Sequence, residues 1–241
     1  MTQLFEQTKY AGAAPDSALL LKMFEEMSAH FGPCHWWPAD SPFEIVVGAV
    51  LTQNTSWRNV EKALDILKAK RALRPEALVR MSREELEESL RPSGFYKVKA
   101  TRLRNLLAWF MEFPGWDAAP GNIDLAFLQH LETDELRQRL LSVSGIGPET
   151  ADCILLYALQ RPTFVVDAYT RRIFERHGLL VSKAGYEEIR NFFMNALPRD
   201  PILYNECHAL VVRTGNTFCK RNKSLCSQCP LGYRVSYDFG E

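Results

Sequence analysis

Apolar residues recur at the helical period along almost the whole chain, and this pattern constrains the fold more than any other feature. Leu20, Phe24 and Met27 are spaced by three or four residues, which places them on one face of a helix. The same period returns in residues 43–51, 60–67, 86–90, 100–110, 133–141, 149–159, 167–177, 184–197 and 201–215. Only Thr163–Val166 reads as extended, and it is very short. The pattern therefore predicts an all-α protein.

Two short polar motifs predict where helices begin. Ser41-Pro42-Phe43-Glu44 has the spacing of a capping box, with proline at the first helical position. Ser82 followed by Glu85 has the same spacing. With 241 residues, of which 46% are hydrophobic, the chain is long enough to surround one large core or two smaller ones.

The bulk sequence argues against a membrane or secreted protein. Its longest apolar run, Ile45–Leu51, is too short to cross a bilayer. Met1–Gly12 does not combine a basic segment with a following apolar one, so no secretory signal is visible. We therefore expect a cytoplasmic protein. The formal net charge is zero, so binding to nucleic acid would depend on local basic clusters rather than on total charge.

The cysteines are unevenly distributed. Three of the six, Cys219, Cys226 and Cys229, fall within eleven residues near the end of the chain. In a reducing compartment such a cluster indicates metal or iron–sulfur ligation rather than disulfide bonds.

A glycine-rich turn separates two of the predicted helices. In Gly145-Ile146-Gly147, the glycines allow positive φ angles and a close approach of backbone N–H groups to a partner, and Pro148 then starts the next helix. A helix N-terminus also carries partial positive charge, so a DNA phosphate would fit there. A plain turn between two helices is the alternative interpretation. Asp167 follows Gly147 by twenty residues.

Taken together, these segments resemble the endonuclease III superfamily of DNA glycosylases. Residues 140–152 and 165–172 are similar to its helix-hairpin-helix and Gly/Pro…Asp signature. Residues 51–55 match its early Gln-x-Thr segment, and residues 207–229 match its C-terminal helix and iron–sulfur loop. The resemblance covers roughly residues 15–232.

The resemblance implies two helical lobes with DNA and the base bound in the cleft between them. Residues 40–161 would form a six-helix barrel lobe that contains the hairpin, and residues 1–39 with 162–241 a second lobe that carries the cysteine loop.

The resemblance assigns catalysis to Asp167. A fixed carboxylate would stabilise the oxocarbenium-like sugar and assist the attack of water, although aspartate is also a common helix N-cap and one residue could do both.

Members with lyase activity carry a lysine directly after the Gly-Pro pair, whereas this chain has Glu149. A carboxylate cannot form a Schiff base, so the implied enzyme is monofunctional. Glu149 would either face the base pocket or act only as a favourable acid in the first helical turn.

The aromatic residues suggest the substrate. His35-Trp36-Trp37-Pro38 and Trp57 resemble the 3-methyladenine glycosylase subgroup, in which Trp36, Trp37, Pro38 and Trp57 would form the base pocket. A cationic alkylated purine stacks well on electron-rich rings. A place in the hydrophobic core is the alternative for these tryptophans.

Further DNA contacts are implied along the chain. Gln53 would fill the gap left by a flipped nucleotide, and the loop that contains Phe95 and Tyr96 would supply a second wedge. The predicted phosphate contacts are Gly145, Ile146 and Gly147 of the hairpin, with Lys97, Lys99 and Arg171 as helpers.

The cysteine loop departs from the family pattern for a 4Fe-4S cluster. Cys219, Cys226 and Cys229 fit three of its positions, but the fourth is Val235. Cys207 lies a dozen residues upstream and matches a non-ligand position. Either the cluster persists with altered ligation, or the loop folds without it.

The resulting hypothesis is a monomeric, monofunctional glycosylase that binds damaged double-stranded DNA and hydrolyses the glycosidic bond of a flipped base. Its substrate would be an alkylated purine such as 3-methyladenine. One alternative is an endonuclease III-type glycosylase for oxidised pyrimidines with lyase activity. Another is a non-catalytic DNA-binding protein that uses the hairpin only for phosphate contact.

Overall fold

The protein is all-helical in the computed structural model, which describes residues 15–116 and 124–232. Within these ranges no β-strand is present, and Cys219 and Ser224 form only an isolated antiparallel bridge. The prediction of an all-α fold is therefore confirmed. The α-helices are α1 Pro15–Phe31, α2 Pro42–Leu51, α3 Trp57–Ala69, α4 Pro75–Arg80, α5 Arg83–Leu90, α6 Tyr96–Phe110, α7 Thr133–Ser142, α8 Pro148–Cys153, α9 Ala168–Arg176, α10 Tyr186–Ala196 and α11 Pro201–Thr217.

Internal contacts divide the chain into two compact units. The central unit comprises Trp37–Arg161, and the terminal unit comprises Met1–Trp36 together with Pro162–Glu241. Helices α2–α8 belong to the central unit, whereas α1 and α9–α11 belong to the terminal unit. Each unit has its own buried core.

Helix α2 forms the centre of the central unit. Eight of its ten residues are buried, and it packs against α3, α6 and α8. Apart from Glu44 the helix is apolar on all sides, and such a helix belongs inside a core, which explains this position. Ser41 caps it as expected, because its hydroxyl accepts a hydrogen bond from the backbone N–H of Glu44 at 3.2 Å.

The second half of the predicted capping box at Ser41 does not form. The Glu44 carboxylate instead accepts from the backbone N–H of Asp40 at 2.9 Å and pairs with Lys68 at 2.7 Å. A buried carboxylate gains more from a nearby ammonium than from a second backbone N–H, which accounts for the difference. By contrast, Ser82 and Glu85 form a complete capping box.

The segment 149–159, which the sequence predicts as one α-helix, is α-helical only in its first part. After α8 ends at Cys153, the buried residues Ile154–Ala158 form a π-helical turn. This turn packs directly against α2. Wider turns of this kind are rare and usually occur at functional positions.

Aromatic packing holds the terminal unit together. Phe164 stacks on Phe193 with ring centroids 4.2 Å apart, and Phe174 lies edge-on to Phe193 at 4.8 Å. Phe24 of α1 contacts the same Phe174 at 6.1 Å. No helix in residues 15–116 and 124–232 is both long enough and apolar enough to span a membrane.

Lys99 lies inside the central unit, which departs from its expected role as a surface contact for phosphate. Only 1% of the residue is exposed, and its ammonium donates to the backbone carbonyls of Leu51 at 2.8 Å and Ser93 at 2.6 Å. Burial, together with the nearby Arg102 cation, lowers the pKa of Lys99 to about 8. The residue therefore joins the end of α2 to the start of α6 and is turned away from solvent.

We expect Lys99→Met to change how stability depends on pH. The pKa of Lys99 is about 8 in the folded protein against 10.5 for the ordinary group, so the unfolded chain binds the proton more tightly. The free energy of unfolding of the wild type should therefore rise, relative to the variant, between about pH 8 and pH 10.5. The difference should be on the order of 2–3 kcal/mol in urea titrations.

Lys97→Met is the matched control, because Lys97 is exposed on the same helix. Its stability should follow the wild type over the same pH range. If the free energies of unfolding of Lys99→Met and the wild type changed in parallel with pH, the assignment of a buried ammonium would be wrong.

Candidate functional site

The hairpin between α7 and α8 depends on a different glycine from the one that its sequence suggests. Gly145 has a φ of +95°, and a Cβ there would lie only 2.3 Å from Cγ of Arg102. Gly147, the N-cap of α8, has a φ of −91°, and a Cβ would meet nothing within 4 Å. Both glycines are exposed. Gly145 is therefore required by conformation and by space, whereas Gly147 leaves open room at the start of α8.

Ile146 anchors the turn rather than facing outward. Its residue exposure is 5%, and its backbone N–H donates to the carbonyl of Val143 at 3.0 Å. An apolar side chain is more stable in the core than against a phosphate, and the predicted contact of Ile146 with DNA stays a prediction. The two flanking glycines remain on the surface.

Gln53 is tied to the hairpin. Its amide nitrogen donates to the Gly145 carbonyl at 3.2 Å and to the Thr150 hydroxyl at 2.9 Å. Its amide oxygen accepts from the Arg102 guanidinium. The predicted insertion of Gln53 into DNA would break these bonds, so insertion and support of the hairpin would exclude each other. Asn105 adds a further link by donating to the Ser144 carbonyl at 3.0 Å.

The start of α6 presents an exposed aromatic ring. Phe95 is 71% exposed and has a φ of +47°, in the left-handed region that side chains rarely adopt. Tyr96 lies beneath the Arg91 guanidinium at 5.2 Å, and Lys97 is exposed beside it. An exposed ring on a strained turn is consistent with the predicted wedge.

Two of the predicted base-pocket tryptophans contact each other. The rings of Trp37 and Trp57 meet edge-on at 5.0 Å, and Trp37 also packs on Tyr157 at 5.2 Å. Trp37 lies so close to α2 that a Cβ on Gly48 would come within 3.1 Å of its ring. Both tryptophans are half-buried. They have a packing role, and each residue remains partly exposed.

The other predicted pocket residues are dispersed. Pro38 and Trp57 line a cavity of about 380 Å³ that carries several charged side chains of α3. Glu149 is exposed in the first turn of α8. Trp36 is half-buried and belongs to the terminal unit.

Asp167 is the N-cap of α9. One carboxylate oxygen, Oδ1, accepts from the backbone N–H of Thr170 at 2.7 Å and from its hydroxyl at 2.9 Å. The other, Oδ2, lies 3.7 Å from Nε2 of His208, and 13% of the Asp167 side chain is exposed. The carboxylate is thus oriented by its own helix through one oxygen, so both roles weighed from the sequence are compatible.

His208 was not predicted as a site residue from the sequence. It lies on α11, is 5% exposed, and approaches the predicted catalytic carboxylate. The available signal was its spacing from Gly215: seven residues place both on one face of a helix. That face packs on α9, and a Cβ on Gly215 would lie 2.3 Å from Cδ1 of Tyr169.

Arg171 was expected to help hold DNA. The residue is half-buried, and its guanidinium donates to the backbone carbonyl of Ala184. This bond supports the start of α10, so a phosphate contact by Arg171 stays a prediction.

The three clustered cysteines line one cavity. Cys219, Cys226 and Cys229 surround a space of about 300 Å³ together with His177 and residues of α9 and α11. Burial raises the pKa of the Cys229 thiol. No group of three or more His, Cys, Asp or Glu side chains in residues 15–116 and 124–232 is arranged to hold a single metal ion. In an iron–sulfur cluster each thiolate binds a different iron atom. Cysteines around one cavity can therefore hold a cluster without sharing a single metal ion. Val235 lies outside the described residues.

Arginines of α9 hold the cysteine loop. The Arg176 guanidinium donates to Sγ of Cys219 at 3.2 Å and to the Ser224 hydroxyl at 2.9 Å. It also donates to the backbone carbonyls of Lys220 and Arg221, both at 3.0 Å. Arg172 donates to the Cys219 carbonyl at 2.7 Å. These bonds attach the loop to the helix that begins after Asp167.

The described residues form an all-helical fold in which a glycine hairpin joins α7 to α8 and an aspartate caps α9. The model of the HhH-GPD superfamily of base excision DNA repair proteins matches residues 47–199. The chain therefore belongs to this superfamily. A protein of Methanocaldococcus jannaschii, described as a candidate DNA repair glycosylase, is 44% identical over 213 residues, which cover 88% of this chain and 94% of that protein.

Solved structures show the same fold. An endonuclease III–DNA complex has a TM-score of 0.75 at 22% identity, covering 91% of this chain and 95% of that one. The H. pylori 3-methyladenine DNA glycosylase bound to 1,N6-ethenoadenine has a TM-score of 0.67 at 27% identity, covering 84% and 98%. The predicted relation to endonuclease III is confirmed at the level of the superfamily.

We expect Gly145→Ala to disrupt the hairpin. A Cβ at a φ of +95° is strained and overlaps Arg102, which also contacts Gln53. The variant should lose about 1–3 kcal/mol of stability, and its affinity for abasic-site duplex should fall about tenfold. Thermal unfolding and fluorescence anisotropy measure the two effects.

Gly147→Ala is the matched control, because its φ of −91° and open surroundings accept a Cβ. Its stability should stay within about 0.5 kcal/mol of the wild type. If Gly145→Ala kept both its melting temperature and its DNA affinity, the account of the hairpin would be wrong.

Proposed function

We propose that the protein is a monofunctional DNA glycosylase that hydrolyses the N-glycosidic bond of a damaged base, and that the base is an alkylated purine such as 3-methyladenine. The observation that carries the proposal is the arrangement of Asp167 in a member of the HhH-GPD superfamily. Its carboxylate is oriented by Thr170 through Oδ1 and retains a second oxygen, Oδ2.

The proposed reaction follows from this carboxylate. The bond between the sugar carbon and the base nitrogen breaks, the base leaves with the electron pair, and positive charge develops on the sugar. An anion that is already oriented stabilises that charge without reorganisation. A water oxygen then bonds to the sugar carbon and gives up a proton to the Asp167 carboxylate, which releases it to solvent, so the products are the free base and an abasic site.

Glu149 supports hydrolysis over strand cleavage. It occupies the position after Pro148 where the lyase members carry a nucleophilic lysine, and its carboxylate cannot form a Schiff base. This is the reason for preferring the monofunctional reaction to the endonuclease III-type alternative. The non-catalytic alternative leaves Asp167 only its role as the N-cap of α9, through Oδ1, and gives no role to Oδ2.

The aromatic residues support an alkylated purine. Trp37 and Trp57 are half-buried and in contact, so they can present a ring to a base at little entropic cost. The ring face attracts a cation, and methylation at N3 of adenine adds positive charge. The H. pylori relative is a 3-methyladenine glycosylase bound to a modified adenine. Pro38 and Glu149 belong to the same central unit as these two tryptophans, and their predicted place in the pocket stays part of this proposal.

DNA binding is assigned to the predicted contact residues, of which Gly145, Gly147, Phe95 and Lys97 are exposed and Gln53 and Arg171 are half-buried. Backbone N–H groups at Gly145 and Gly147 would hold a phosphate, with Lys97 and Arg171 as helpers. Phe95 would act as the wedge, and Gln53 would enter the gap after leaving the hairpin.

The cysteine loop supports three positions of an iron–sulfur cluster. Cys219, Cys226 and Cys229 line one cavity and would each bind an iron, while the fourth family position is Val235. When bound, such a cluster would stabilise the loop through its iron–thiolate bonds. The Arg176 hydrogen bonds hold the same loop through protein groups alone.

Base release without strand cleavage tests the reaction. Under single-turnover conditions, duplex DNA that contains 3-methyladenine should yield abasic sites, seen as strand breaks only after hot alkali. Borohydride should trap no covalent enzyme–DNA adduct, because Glu149 supplies no amine. Asp167→Asn should slow base release by on the order of 100-fold and leave binding to damaged DNA intact.

Asp200→Asn is the matched control, because Asp200 caps α11 as Asp167 caps α9. Asparagine caps about as well as aspartate, so both variants should fold. Rates for Asp167→Asn within a few-fold of the wild type would overturn the proposed catalytic role, and a strong trapped adduct would overturn the monofunctional assignment.

The tryptophans should discriminate between charged and neutral lesions. Trp37→Leu and Trp57→Leu should each slow the release of 3-methyladenine about tenfold more than the release of the neutral base hypoxanthine. Trp109→Leu is the control, since Trp109 packs among Phe110 and Phe113 in the core. It should lower the melting temperature and affect both lesions equally. Equal losses on both lesions for Trp37→Leu and Trp57→Leu would assign these rings to packing alone.

A further inference from the structure

The two oxygens of Asp167 have different surroundings. Oδ1 accepts two hydrogen bonds from Thr170, which commit it to the N-terminus of α9. Oδ2 lies 3.7 Å from Nε2 of His208, which is longer than the 2.7–3.2 Å of an N–H···O hydrogen bond. Such contacts are often loose in free enzymes and shorten in the complex with substrate. Oδ2 is thus the oxygen of Asp167 that His208 faces.

The packing of α11 on α9 places His208 at this point. Gly215 lies two turns further along the same face of α11, and a Cβ there would come within 2.3 Å of Tyr169. The glycine therefore lets the two helices approach closely. Tyr169 is two residues after Asp167, so this close contact also fixes the distance from His208 to the carboxylate.

The His208 side chain is itself shielded from water, with 6% of its surface exposed. Burial lowers the pKa of His208, although the neighbouring Asp167 opposes the shift. The ring is therefore neutral near pH 7 and carries one N–H proton. In the tautomer that carries the proton on Nε2, the N–H group faces Oδ2.

We propose that His208 is a positioning residue for Asp167, holding the plane of the carboxylate through an Nε2–H···Oδ2 contact while positive charge develops on the sugar. This inference rests on the proposed role of Asp167. Thr170 orients one oxygen and His208 the other, so the carboxylate cannot rotate away from the reacting carbon. A small displacement of a catalytic group is enough to cost up to about 100-fold in rate.

A double-mutant cycle with single-turnover kinetics tests the inference. His208→Leu should slow base release about ten- to hundredfold and leave the Kd for abasic-site duplex unchanged. His208→Gln, whose amide N–H reaches a similar position, should recover the rate to within a few-fold of the wild type. In the Asp167→Asn background, His208→Leu should cost nothing further, because the carboxylate that it positions is already lost.

Cys207→Ala controls for disturbance of the buried side of α11, since Cys207 is fully buried next to His208. It should lower the melting temperature while keeping the rate, and its effect should add to that of Asp167→Asn. An additive loss for His208→Leu, or a failure of His208→Gln to recover the rate, would overturn the positioning role. If Asp167→Asn itself kept its activity, the proposed function would fail first, and the two failures are therefore distinguishable.

Discussion

The buried ion pair between Arg137 and Asp152 is the interaction on which the hairpin depends. The guanidinium donates to both carboxylate oxygens, at 2.8 and 3.0 Å, and the side chains are 7% and 0% exposed. Two charges removed from water are tolerated only as a pair, and loss of one partner typically costs about 3–5 kcal/mol. Because Arg137 lies on α7 and Asp152 on α8, this pair holds the two helices together and sets the turn at Gly145. Gln53 can then bond to a turn whose position is already determined.

Helix α9 has a comparable role in the terminal unit. Its N-cap is Asp167, the proposed catalytic residue, and its last residue is Arg176, which donates four hydrogen bonds to the cysteine loop. A single helix of nine residues therefore connects the carboxylate to the loop. Its packing on α11 also determines where His208 lies. The loop is thus attached to α9 by hydrogen bonds between protein groups.

Several features of the candidate site could be predicted from the sequence, because they depend on local chemistry. The helices follow from apolar spacing, and the capping box at Ser82 from two residues three positions apart. Other features depended on neighbours distant in sequence. Lys99 has the same charge as Lys97, and only the packing of α6 on α2 turns one inward and the other outward. Glu44 has the capping-box spacing, yet Lys68, 24 residues away, determines its partner.

By itself, the sequence determined that the chain is all-helical, that a glycine turn joins two helices, and that an aspartate begins another. These properties depend on residues within a few positions of one another, so they can be predicted from the pattern of residues along the chain. Only the tertiary structure decided that Gly145 rather than Gly147 is sterically required, and that His208 faces Asp167. The first depends on the side chain of Arg102 and the second on a residue 41 positions away. Contacts of this kind arise from helix packing, which the order of residues along one helix does not specify.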